Sequence, residues 1–199
     1  MADVLPGSAS YVRTWRAMRA AVLELAPMVD RFCVACNQLH CFEPLIRDLL
    51  ASNGHDPAMF VSIIAATAAY CEGLEPGKES MIIFGGPVTC DLAGVSTYRR
   101  VAEALPGAVV HVTGSQSDAL DGMISEVKRD GPTPSSVRKF EALLREVEAN
   151  GVQTAVLACT ELPLMSVEAL CAAEGRPVPK VRLVDPTQLL AAALLLTSN

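Results

Sequence analysis

Apolar positions recur along this chain with two alternating periods. Between Tyr11 and Met28 the apolar side chains Trp15, Met18, Val22 and Leu25 fall at helical spacing, with Arg13, Arg16 and Arg19 between them, which predicts an amphipathic helix. A short apolar run over Arg31–Cys36 predicts a strand, and Glu43–Ala51 a helix closed by Asn53-Gly54. Phe60–Ile64 reads as a strand and Ala65–Glu72 as its helix, and Gly73 through Lys78 reads as a linker. The pattern then restarts. Ser80–Phe84 is the next expected strand, Gly85-Gly86-Pro87 a sharp turn, Val95–Leu105 a helix, Ala108–Val112 a strand and Ser117–Lys128 a helix. After the break at Gly131-Pro132-Thr133-Pro134, Ser135 or Ser136 is expected to cap a helix with the stripe Val137, Phe140, Leu144 and Val147, ending at Gly151. Gln153–Cys159 and Val181–Val184 complete the expected strands, and Asp185-Pro186-Thr187-Gln188 looks like a capping box with proline at the first helical position.

Strands alternating with helices argue an α/β protein with parallel sheets and right-handed crossovers. The similar order of elements in the two halves suggests two lobes. The first is expected to span residues 1–76 and to be completed by the C-terminal segment 181–199. The second is expected to span 77–180.

Composition narrows the function classes. Apolar residues make up 51% of the 199 positions and aromatic ones 5%, so the core is aliphatic, as suits a parallel sheet covered by helices. A formal charge of −6 leaves no basic footprint for nucleic acid. Lys128-Arg129-Asp130 and Arg99-Arg100 read as solvated helix faces. The first residues lack the basic and apolar regions of a signal peptide, and the apolar run Leu189–Leu196 is far short of the roughly 20 residues a membrane span needs. Seven cysteines, mostly in apolar runs, suit reduced thiols and a cytoplasmic protein.

Two of those cysteines stand in near-matching contexts. Cys36 ends the first predicted strand and opens Cys36-Asn37-Gln38-Leu39-His40, and Cys159 ends a later one and opens Cys159-Thr160-Glu161-Leu162-Pro163-Leu164. The C-terminal ends of parallel strands are where such sheets bind ligands. Two thiols at two such ends suggest one cleft with a sulfur on each wall. One thiol can then take a proton from one face of a carbon while the other returns a proton to the opposite face. A helix N-terminus after each sulfur would lower its pKa toward neutrality. Asn37 and Thr160 are placed to donate to a substrate carboxylate, and His40 and Glu161 to tune or relay protons beside the sulfurs.

Other readings of the same residues are weaker. Cys33-x-x-Cys36 with His40 and Cys41 has the look of a zinc or dithiol site, but residues three apart in a strand point to opposite faces, and no second pair at ligand spacing follows. No metal is therefore expected. Cys33, Cys41, Cys71, Cys90 and Cys171 read as core filler, His55 and His111 stand alone, and Gly85-Gly86-Pro87 lacks the glycine pattern of a phosphate loop.

The two cysteine motifs resemble those of the cofactor-independent aspartate/glutamate racemase superfamily. There the first reads Cys-Asn-Thr-Ala-His, and the second reads Cys-Thr-Glu or Cys-Thr-His followed closely by Pro-Leu. Glu161 after Thr160 is similar to the aspartate-racemase branch. Val184-Asp185-Pro186-Thr187-Gln188-Leu189-Leu190-Ala191 resembles the family's last strand and helix, and Gly86 to Tyr98 its second-lobe opening. The resemblance implies two α/β lobes with the site between them, Cys36 and Cys159 as the acid/base thiols, and Asn37, Gln38 and Thr160 at the substrate. It implies neither pyridoxal phosphate nor metal, an amino acid or related carboxylate as substrate, and a homodimer. Two departures stand out. Gln38-Leu39 replaces Thr-Ala, bringing in a bulkier side chain. No strand with a glycine-rich Gly-Gly-Met-Gly-Pro-like turn precedes Tyr11, so the first lobe is expected to be short by one or two βα units. A non-catalytic relative that binds a small carboxylate or a protein partner is the rival expectation, with maleate isomerases and hydantoin racemases as enzymatic variants.

Overall fold

A computed structural model of the chain describes residue 4 and residues 6–74, 80–92, 96–104 and 109–195. Helix α1 spans Ala9–Leu25 and opens on Ser8, whose hydroxyl accepts from the Tyr11 N–H. Pro27 stops it short of the predicted Met28, because proline has no N–H to continue the ladder, and Ala26–Met28 forms a 3-10 turn instead. Strand β1 is Phe32–Cys33, helix α2 is Glu43–Ser52 and strand β2 is Phe60–Val61. β1 and β2 pair in parallel, with Phe32 beside Phe60 and Cys33 beside Val61. The second strand is shorter than its apolar run suggests. Ser62 turns the chain and caps helix α3 (Ile63–Glu72) by accepting from the Ala65 N–H, so Ile63 and Ile64 become helical core residues.

Four strands form the other sheet: β3 (Met81–Phe84), β4 (Val109–Val110), β5 (Thr154–Leu157) and β6 (Arg182–Val184), in the order β4-β3-β5-β6 and all parallel. Between β3 and β4 lie the short helices α4 (Pro87–Cys90) and α5 (Arg99–Ala104). Part of the predicted helix Val95–Leu105, the start of the strand predicted at Ala108, and most of the predicted linker lie outside the described residues.

Helix α6 (Gly114–Asp130) begins earlier than its apolar stripe suggests, because Thr113 and Gln116 make a reciprocal capping box. The cap of helix α7 (Pro134–Ala149) is Thr133 rather than Ser135 or Ser136. Pro134 takes the first helical position, where its missing N–H costs nothing, and Ser136 becomes the third residue of a second box. Helix α8 (Val167–Ala173), capped by Ser166, had no predicted counterpart. Helix α9 (Pro186–Leu195) begins where Asp185 Oδ1 accepts from the Thr187 N–H at 2.8 Å.

Side-chain alternation in the four-stranded sheet feeds two cores. Ile82, Phe84, Ala155 and Leu157 face α6, α7 and α8, with Phe84 set edge-on to Phe140. Met81, Ile83, Val156 and Ala158 face the other way, toward α3, α5 and α9. Both faces are thus covered, as an aliphatic parallel sheet requires. A third core holds α1, α2, β1 and β2 together around Phe42, Ile46, Leu50 and Phe60. The C-terminal segment serves both halves: β6 extends the four-stranded sheet beside β5, and α9 packs on α3.

Candidate active site

The loops after β1 and β5 meet across one cleft of about 320 Å³ that Cys36, Asn37 and Gln38 line from one side and Cys159, Thr160 and Glu161 from the other. Cys36 lies three residues beyond β1, and Cys159 two residues beyond β5, so both occupy the carboxyl ends of parallel strands. Cys33, by contrast, packs into the core around α3 and α9. Among the described residues no group of three or more His, Cys, Asp and Glu side chains is placed to hold a metal.

Gly85 sets how closely the second cysteine loop can approach. A methyl group there would lie 2.9 Å from Thr89 Cγ2 and 3.2 Å from the Ala158 carbonyl oxygen, so a side chain fits only if its neighbours shift. The residue closes β3 onto the segment that leads into Cys159, and the next residues, Gly86 and Pro87, line the cleft floor.

His40 is the element that holds the first loop. Its Nε2 accepts from the Ile63 N–H at 3.0 Å, and its Nδ1 lies 3.0 Å from the Cys36 carbonyl oxygen, to which it donates. The ring is 4% exposed and packs on Phe60, and burial lowers its pKa, so it is neutral. Both ring nitrogens are committed to backbone, and His40 ties the Cys36 loop to the start of α3. Glu43 braces the same junction, accepting from the Ser62 hydroxyl at 2.6 Å and from Arg47 Nε at 3.0 Å.

Asn37 is 3% exposed. Its Oδ1 accepts from the Tyr98 hydroxyl at 2.6 Å, and the Thr97 hydroxyl donates to its carbonyl oxygen at 3.4 Å. Its Nδ2, like Nε2 of Gln38, is buried with no hydrogen-bond partner among the described residues. Orphaned buried donors are rare because each forfeits its solvation without return. Both residues line the cleft, and an unpaired amide N–H is a donor that an acceptor such as a carboxylate satisfies.

On the opposite wall the Cys159 thiol donates to Glu161 Oε2 at 2.7 Å, and the Thr160 hydroxyl donates to the same oxygen at 3.1 Å. Burial first, then the Glu161 carboxylate, push the Cys159 thiol up to about 12. This reverses the expected depression. Only a single 3-10 turn, Leu162–Leu164, follows the sulfur, and its end dipole is outweighed by desolvation and an adjacent negative charge.

Lys128 reaches this wall from α6, with Nζ 3.8 Å from Glu161 Oε1, and Asp121 and Ser125 line the cleft from the same helix. Lys128 is exposed, as its solvated-face reading expects, and it also borders the cleft. A charged position on an amphipathic helix looks the same in sequence whether it meets solvent or a cleft rim. Nor could the sequence single out Tyr98, which is fully buried. It is joined to Asn37 across 61 positions of chain.

No protein-family model matches the chain, and no curated protein matches it in sequence. Solved structures match it in fold. An aspartate racemase homologue from Pyrococcus horikoshii superposes with a TM-score of 0.70 at 18% identity, over 97% of this chain and 78% of that one. A protein of Yersinia pestis assigned provisionally to the Asp/Glu racemases gives 0.63 at 19% identity, over 92% and 74%. Glutamate racemase from Francisella tularensis, solved with D-glutamate, gives 0.61 at 14% identity, over 94% and 64%. The chain has the parallel α/β fold of the aspartate/glutamate racemases, as its two cysteine motifs led one to expect. No described helix is long and apolar enough to cross a membrane.

Proposed function

We propose that this chain is a cofactor-independent racemase or epimerase of an amino acid, with an acidic one as its substrate and with Cys36 and Cys159 as the acid/base pair. The observation that carries the reading is the meeting of the two thiols in one cleft beside the two unpartnered amide donors of Asn37 and Gln38. A proton on Cα is weakly acidic, and removing it builds negative charge on the adjacent carboxylate. Asn37 Nδ2 and Gln38 Nε2 supply donors for that charge without reorganising. Cys159, hydrogen-bonded to Glu161, rests as the protonated member and delivers its proton to one face of Cα. Cys36 takes the departing proton on the other, so one C–H and one S–H bond break as one of each forms. Lys128 supplies a cation for a second carboxylate, which favours an aspartate- or glutamate-like substrate.

The two parallel sheets act as two lobes in this reading, with the cleft between them. The seven unpaired cysteines support a reducing, cytoplasmic setting, and a homodimer is the assembly we propose.

A second reading has its own observation. The raised Cys159 thiol suits a cleft that binds a small carboxylate without turning it over. Deuterium uptake at Cα separates the two. In heavy water with each enantiomer of aspartate and glutamate, the racemase reading expects exchange coupled to inversion, and loss of at least about a hundredfold in Cys36→Ser and Cys159→Ser. Exchange at the wild-type rate in both variants would sink the two-thiol mechanism. No exchange with any of these amino acids, together with saturable binding of one of them, would establish the second reading.

A further inference from the structure

We propose that Tyr98 is a positioning residue that holds the Asn37 amide with its NH2 group toward the cleft, so that the ligand group seated there must be an acceptor. This rests on the reading of the cleft as a carboxylate site and specifies which part of the ligand meets Asn37.

A side-chain amide can present either end to a ligand, and its two orientations have nearly the same shape. What selects between them is the partner on the inner side. Here that partner is the Tyr98 hydroxyl, 2.6 Å from Asn37 Oδ1. Tyr98 is fully buried, and burial raises its pKa, so it keeps its proton and donates. Thr67 also adjoins that hydroxyl and gives its own proton to the Ile63 carbonyl oxygen at 2.7 Å. Ser96 anchors the other end of the tyrosine by accepting from its backbone N–H at 3.0 Å. The phenol therefore stands on α3 and on the segment entering α5, and it reaches across to the first cysteine loop. Oδ1 is consumed on the inner side. Nδ2 is left buried and unpartnered, on a residue that lines the cleft. A ligand carboxylate satisfies that donor through either oxygen, whereas a ligand amide can meet it only through its single carbonyl oxygen. The same tyrosine couples the two halves, since the ligand-facing amide of one is oriented by a residue of the other.

The test uses the full chain, calorimetric titration, and two probes that differ only at the α-carboxyl: aspartate and isoasparagine, its α-amide. The side-chain carboxylate, and with it any contact to Lys128, is common to both. Wild type is expected to bind aspartate tighter by about tenfold or more. In Tyr98→Phe the amide loses its inner donor and turns freely, so the preference is expected to narrow to about threefold or less. A merely structural loss would weaken both probes alike and leave their ratio standing. Asn37→Asp keeps the Tyr98 bond but presents an oxygen in place of the NH2 group, and is expected to reverse the preference. That variant decides the matter even if Tyr98→Phe does not fold. An unchanged ratio in Tyr98→Phe, or an aspartate preference retained in Asn37→Asp, overturns the inference and leaves the carboxylate reading intact. Binding of neither probe by wild type overturns both.

Discussion

The Cys159 sulfur lies 2.7 Å from Glu161 Oε2, so the thiol and the carboxylate share a proton donated by sulfur. Of the causes that raise this thiol, burial is the largest and Glu161 follows by hydrogen bond and by charge. Glu161→Gln removes the charge but not the burial, and leaves an amide oxygen as a weaker acceptor. The rate of Cys159 alkylation, followed against pH in a Cys36→Ser background, should therefore reach its midpoint at lower pH than in the parent, yet still above that of an ordinary thiol. An unchanged midpoint would mean that Glu161 does not act on the sulfur.

His40 satisfies two backbone groups at once. His40→Ala leaves the Ile63 N–H and the Cys36 carbonyl without their partner, at a cost of about 2–4 kcal/mol by urea unfolding at pH 7.5. Its pKa is lowered by burial, so the unfolded chain takes up a proton below about 6.5 that the folded chain resists. The stability tied to a neutral His40 is present above that pH and lost as pH falls toward the lowered value. The variant should lack that part of the slope.

Glu141 should govern acid stability. Arg176 bonds it with both guanidinium nitrogens, Nη2 to Oε2 at 2.6 Å, and Arg145 Nε donates to Oε1 at 2.9 Å. The Arg176 guanidinium is the main cause that holds its carboxyl at about 2, against the opposing effect of burial. Its contribution is thus complete above about 4.5 and lost as pH falls toward about 2. Glu141→Gln should unfold at lower urea concentration than wild type at pH 7, with the gap closing between those limits. A gap independent of pH would show that the ion pairs are not its source.

Gly85→Ala tests the close approach behind Cys159. The added methyl meets Thr89 and the Ala158 backbone oxygen. Strain of about 1–3 kcal/mol is expected, together with slower Cα exchange, because the segment entering Cys159 must shift. Thr89→Ser removes the nearest methyl and should restore part of both losses in the double variant. Full stability and exchange in Gly85→Ala alone would mean the loop yields without cost.

Phe140→Ala removes a fully buried ring from the α6–α7 core, where it meets Phe84 with centroids 6.2 Å apart. A loss of about 3–5 kcal/mol is expected by chemical denaturation, with the exchange chemistry of the cleft unaffected at temperatures where the variant stays folded.

The sequence by itself determined the order of strands and helices, the parallel α/β class and the two cysteine loops, because these follow from periodicity and from residue types within a few positions of one another. Apolar runs such as Met81–Phe84 and Thr154–Leu157 cannot avoid burial, and Cys36 and Cys159 follow the strands that such runs form. Boundaries shifted where local capping competed with the run, as at Ser62 and Thr133. Only the tertiary structure decided what surrounds each functional atom. Whether His40 relays protons or ties two backbone groups depends on Ile63, 23 positions away. That the exposed Lys128 also borders the cleft depends on how α6 sits against the β5 loop. The direction of the Cys159 pKa depends on burial and on the side-chain conformation of Glu161. Hydrogen bonding, desolvation and charge act through space over a few ångströms, and residues distant in sequence come that close only when the chain has folded.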